Sequence, residues 1–133
     1  REFEYGKADC GTIIEDAYML MGIDLGFNQR NDMELDVKSN YIIERLDDCG
    51  FYEVPTHLLK TGDVIVNTYG EKADHMMLYL GDQHVLHHLY NRLSRVEFLH
   101  SYYRRKISKV FRHMDWENGM IEAVFNDIEA ANG

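Results

Sequence analysis

The chain has 133 residues, 45% of them hydrophobic, and carries 14 Lys and Arg against 23 Asp and Glu for a formal net charge of −9. That length and apolar content suffice for one domain-sized core without disulfide or metal staples. The negative balance argues against nucleic acid and anionic lipid as partners, because phosphates call for a clustered basic surface. The single basic run, Arg104-Arg105-Lys106, is short enough to be solvated surface.

No apolar run approaches the roughly 18 residues of a membrane-spanning helix, so no membrane insertion is expected. Cys10 and Cys49 can form at most one disulfide, which a chain of this size does not need. The opening REFEYGK is polar and lacks an initiator Met, so Arg1 is expected to be a processed end or the start of an excerpt.

In chain order, the first expected element is a helix starting at Cys10. Asp9 is placed as its N-cap, Ile13, Ile14, Ala17, Leu20 and Met21 lie on one stripe, and Gly22 stops it. A second helix is expected over 37–48, closed by Gly50. The period then changes. Thr61-Gly62-Asp63 reads as a turn into the strand Val64 to Asn67, Ala73 to Leu80 as a second strand, and His84 to Tyr90 as a third. A tight turn at Gly81-Asp82 makes the last two a hairpin. Asn91 to Ser94 is expected to leave the sheet, Val96 to Tyr103 to be a short helix, and Ile107 to His113 a fourth strand. The acidic segment from Asp115 to Ala131 carries Met120, Ile121, Val124, Phe125 and Ile128 at helical spacing. It is expected either to pack on the domain or to dock on a neighbouring subunit. Helices followed by an antiparallel meander predict an α+β domain over 1–113, with 114–133 as an amphipathic tail.

Cys10 carries the first chemical signal. Free amide groups and the helix dipole at a first turn favour a thiolate, the form that attacks a carbonyl, and the same amides can hold an oxyanion. The alternative is a buried, inert cysteine on a core helix. A cysteine nucleophile also requires an imidazole base and a group to orient it. With the hairpin turning at Gly81-Asp82, His75 and His87 fall opposite each other or one pair apart on one face.

The segments Tyr5-Gly6, Asp9-Cys10, Lys60-Thr61-Gly62-Asp63-Val64-Ile65 and Asp74-His75-Met76-Met77-Leu78-Tyr79-Leu80-Gly81-Asp82 resemble the NlpC-type, papain-like cysteine peptidases of cell walls. The resemblance implies a nucleophile helix packed on a small antiparallel sheet, with Cys10 as nucleophile and His75 as base. It implies a third polar residue about a dozen positions after the base. That selects His87 over His84 and His88. Leu86-His87-His88-Leu89, Asn91-Arg92-Leu93-Ser94, Tyr102-Tyr103-Arg104 and Val110-Phe111-Arg112-His113 narrow the resemblance to NlpC-type proteins of long-tailed phages. The expected partners are then peptidoglycan stem peptides and other tail-tip proteins. The expected location is the virion tail tip, after synthesis in the host cytoplasm and with action at the cell wall. No cofactor is implied.

The chain departs from the family pattern around the nucleophile. Asp9-Cys10 is followed by Gly11-Thr12 rather than Ser-Gly, the usual Gly-Gly pair is Gly6-Lys7, and Phe3 stands where a substrate-binding tyrosine is common. Tyr5, Asp9, Gly11 and Phe3 are the implied substrate contacts.

Other readings of the same residues exist. Seven histidines invite a metal, but His84 and His88 on one strand face lie about 13 Å apart, too far to share an ion, and no CxxC or HExxH spacing occurs. No metal site is expected. Asp63 is expected to form a turn rather than act as an acid. Trp116, Tyr102 and Tyr103 can form a binding platform or pack in a core or interface. At the level of function, the alternatives are a structural tail-tip subunit with little hydrolase activity, and a thiol-dependent transferase on the same fold.

Overall fold

The computed structural model describes residues 10–26, 46–68, 74–88 and 94–132, and for residues 10–12, 74, 88, 94, 131 and 132 the backbone alone. Helix α1 spans Cys10–Leu20. Strand β1 (Phe51–Val54) leads into a 3-10 turn (Thr56–Leu58) and β2 (Val64–Thr68). Strands β3 (Asp74–Gly81), β4 (His84–His88) and β5 (Ser94–Phe98) follow, then α2 (Ser101–Arg105), β6 (Ile107–His113) and α3 (Glu122–Asn132). The six strands form one antiparallel sheet in the order β1-β6-β2-β3-β4-β5. This is the expected α+β architecture.

Strand alternation divides the core in two. Val64, Val66, Met76, Leu78, Leu80 and Phe111 face α1 and α3, where Ile14, Ala17, Tyr18, Met21, Ile121 and Val124 cover them. Ile65, Met77, Tyr79 and Val85 point to the other face, covered by Leu99 and by Tyr103 of α2. The tail stripe is thus committed to the domain's own core: Ile121 and Val124 are buried there, with Met120, Phe125 and Ile128 packed against it.

The hairpin turns one residue later than expected. Gly81 pairs with His84, so Asp82 and Gln83 are the two turn residues, with φ of 52° and 63°. Both are left-handed, the geometry that matches a two-residue connection to the strand twist. Gly81 precedes them at φ 90°, where an added Cβ would collide with the Thr61 hydroxyl.

Two further expectations need correction. Val96 to Tyr103 is not one helix: Ser94–Phe98 is strand β5, and the helix is confined to Ser101–Arg105. The open edge of β4 supplies hydrogen-bond partners that outweigh local preference, and Arg95 and Glu97 take one face while Val96 and Phe98 take the other. Ser94 therefore enters the sheet rather than leaving it. Strand β1 was not anticipated, because Phe51-Tyr52-Glu53-Val54 is short and shows no alternation. Of the helix expected over 37–48, only 46–48 lies within the described residues, and these are helical.

The Gly62-Asp63 turn is the densest polar knot in the described structure. Asp63 is fully buried; its Oδ1 accepts from Arg112 Nε at 2.9 Å, and its Oδ2 accepts from Arg112 Nη2 at 2.9 Å and the Lys60 amide at 3.0 Å. Arg112 Nη2 also donates to the Leu58 carbonyl at 3.0 Å. The hydroxyl of fully buried Tyr18 donates to the Gly62 carbonyl. Burial, then the nearby Asp63 charge, holds that phenol far above its usual range. Trp116 lies against Gly62, where φ is +92° and any Cβ would strike the indole. Asp63→Ala leaves Arg112 partly buried and unpaired and removes the acceptor of the Lys60 amide. It is expected to cost about 2–3 kcal/mol, read as a lower urea midpoint at unchanged slope.

Candidate active site

At the start of β3, four strands bring polar groups to one face of the sheet. Asn67 of β2 pairs with His75 of β3. On the other side Leu78 pairs with Leu86 and Tyr79 with Val85, which sets His75 and His87 diagonally on that same face. In β5, Arg95 lies opposite His87 and Glu97 opposite Val85. Sheet register alone thus gathers Asn67, His75, His87, Arg95 and Glu97, and α2 adds Tyr103.

His75 Nε2 and His87 Nδ1 are 3.1 Å apart, with the rings 5.3 Å between centroids and nearly perpendicular. His87 is fully buried. The Tyr103 ring meets it edge-on at 5.4 Å, and His100 stacks on Tyr103 at 4.3 Å. Asn67 Nδ2 donates to the Tyr103 carbonyl at 3.0 Å and so ties α2 to β2. Among the described residues, buried Asn67 Oδ1 and His87 Nε2 have no hydrogen-bond partner. Glu97 Oε1 lies 3.5 Å from His87 Nε2. The same Glu97 oxygen takes Arg95 Nε at 3.0 Å.

Cys10 is the first residue of α1. The body of that helix packs on the face of Met76, Leu78 and Leu80, opposite to the face of His75 and His87. One side chain anchors it. Tyr18 bonds to Gly62, whose amide donates in turn to the Tyr79 carbonyl near the far end of β3. Cys10 stands eight residues, about 12 Å of helix, on the N-terminal side of Tyr18.

The structure brings His75 and His87 together and assigns plainer roles to other histidines. His113 Nε2 donates to the Cys49 carbonyl at 2.9 Å while its Nδ1 accepts from the Asp115 amide at 3.0 Å. His84 Nδ1 donates to the Asp82 carbonyl at 2.7 Å. Among the described residues no group of three His, Cys, Asp or Glu side chains is arranged to hold a metal. Tyr103 is buried while Tyr102 is exposed, so the pair offers no common platform. Phe3, Tyr5 and Asp9 lie outside the described residues, and Gly11 follows Cys10 in the first turn of α1. Sequence reasoning missed Glu97, Asn67 and Tyr103. The alternation of Arg95 and Glu97 would have flagged the first had β5 been read as a strand.

Burial lowers the pKa of His87 below its ordinary 6.5, with Arg95 and His100 acting in the same direction and Glu97 in the opposite one. The unfolded chain therefore takes up this proton before the folded one does. The stability contribution is complete above pH 6.5 and is lost as pH falls through the lower folded value. His87→Asn should flatten the fall of the urea midpoint as pH drops below 6.5.

Residues 1–112 match the NlpC/P60 family model. The chain is also 32% identical over 133 residues to Tail tip assembly protein K of Escherichia phage lambda, an alignment that covers 99% of this chain and 67% of that relative. The family match spans α1, the first five strands and all but the last residue of β6, and on that basis the chain belongs to the NlpC/P60 family.

Proposed function

We propose that this chain is a phage tail-tip or tail-assembly protein whose domain is a cysteine peptidase cleaving amide bonds in the peptide stems of peptidoglycan. The observation that carries the reading is the 3.1 Å contact of His75 with buried His87, in an NlpC/P60 chain whose α1 begins at Cys10. The phage setting draws on the relative named for tail tip assembly, of which the chain spans about two thirds.

In this scheme His75 Nδ1 takes the Cys10 thiol proton, and the thiolate attacks the substrate carbonyl. Amide N–H groups of the first turn of α1, including that of Gly11, hold the oxyanion. The imidazolium of His75 protonates the departing amine, leaving a thioester on Cys10. His75 then deprotonates a water that hydrolyses the thioester and regenerates the thiol. His87 holds the His75 ring in orientation. Phe3, Tyr5 and Asp9 are assigned to substrate contact. The protein is made in the host cytoplasm, joins other tail-tip proteins in the virion and acts at the cell wall.

A second reading, a structural tail-tip subunit without hydrolysis, is favoured by the assembly role in the relative's name. Digestion of purified muropeptides, followed by mass spectrometry, separates the two. The parent protein should release one defined stem fragment, Cys10→Ala and His75→Ala none, and His87→Ala about 10²-fold less. No cleavage by the parent, with iodoacetamide labelling Cys10 no faster than half-buried Cys49, would leave the structural reading.

A further inference from the structure

Two neutral imidazoles joined by one hydrogen bond can place the shared proton in two ways. Either His75 Nε2–H donates to His87 Nδ1, or His87 Nδ1–H donates to His75 Nε2. The arrangements differ in consequence. In the second, His75 carries its own proton on Nδ1 and spends its lone pair on His87, so it can accept nothing from a thiol. In the first, Nδ1 of His75 is the basic nitrogen. Nothing within the two rings chooses between them.

We propose that Glu97 makes the choice, acting as a positioning residue that sets the His75 tautomer through His87; this rests on the reading of His75 as the base. If His87 accepts at Nδ1, its proton sits on Nε2, and the facing group is Glu97 Oε1 at 3.5 Å. If His87 donates from Nδ1, a bare Nε2 lone pair faces that carboxylate oxygen instead, acceptor against acceptor, on a fully buried side chain. In so dry a setting an unpaired acceptor aimed at a negative oxygen is strongly disfavoured. Glu97 thus selects Nε2–H on His87, and by exclusion Nε2–H and a basic Nδ1 on His75.

Arg95 completes the device. It lies opposite His87 in the β4–β5 ladder, and its Nε holds the same Glu97 Oε1 at 3.0 Å. The groups facing His87 are therefore His75 from β3, Glu97 and Arg95 from β5, and His100 beside the Tyr103 ring at α2. The 3.5 Å separation is long for a hydrogen bond, yet Glu97 keeps 17% exposure and a small side-chain rotation closes it. Contacts of this kind commonly tighten when substrate binds.

Ring-nitrogen NMR of the intact protein tests the assignment, using long-range proton–nitrogen correlations that distinguish bare from protonated nitrogens. The parent should show His87 protonated on Nε2 and bare on Nδ1, and His75 protonated on Nε2. Glu97→Ala should give mixed tautomers at both rings and about tenfold slower alkylation of Cys10 by iodoacetamide at pH 7. Glu97→Gln, whose amide oxygen still accepts, should restore most of both signals. His87 protonated on Nδ1 in the parent, or tautomers unchanged in Glu97→Ala, would overturn the proposal. Failure of the underlying base reading is seen separately, as parent-rate alkylation of Cys10 in His75→Ala, and leaves the tautomer result to decide the role of Glu97.

Discussion

The carboxylate of Asp63 has no solvent contact, and its charge must be answered within the protein. Arg112 of β6 answers it through two nitrogens, and the Lys60 amide supplies a third donor. A buried ion pair of this kind adds little net stability over a well-packed apolar pair, but it tolerates few geometries. That intolerance joins β2 to β6 at a defined register and holds the 3-10 turn through the Leu58 carbonyl. The adjoining Gly62 carbonyl takes the Tyr18 hydroxyl, so the turn that buries Asp63 also locates α1 on the sheet.

The geometry around the two histidines follows from sheet register. Helix α1 is held by Tyr18 near the end of β3 where Tyr79 lies. The two histidines are set by β3–β4 register, and Glu97 and Arg95 by β4–β5 register. No loop conformation is needed to bring these four residues together. The row of groups is therefore as rigid as the sheet, while α2 closes over it through Tyr103 and the Asn67 hydrogen bond. Burial on this face holds the His87 imidazole below its ordinary pKa.

Much of this is legible in the chain itself. Asp63 after Gly62, the His75-led strand and the helix beginning at Cys10 all carry local signals: a turn pair, a short continuous apolar run, and an apolar stripe. The contact between His75 and His87 was within reach once a hairpin was drawn, even with its turn set one residue early. Strand β5 was not legible. Ser94–Phe98 does alternate, but over only five residues, and Val96, Leu99 and Tyr103 offer a competing helical spacing, while Val96 and Phe98 remain exposed. It is a strand because β4 would otherwise be an open edge. Losing β5 hid Glu97 and Arg95 with it. The tail shows the converse: its helical stripe was visible in residues 120–128, but whether the stripe covered this core or another protein's was not.

The amino-acid sequence by itself determined which groups are available and which stretches hold them: a cysteine at a helix start, histidines at alternating strand positions, a Gly-Asp turn, and an apolar stripe near the end. These are local properties, set by side-chain chemistry and by the periods of helix and strand. Only the tertiary structure decided which of them meet. Partners in a sheet are chosen by register and by unmet backbone hydrogen bonds across 12 or more residues, as with His75 and His87. A residue such as Glu97 acquires its meaning only from the buried nitrogen it faces.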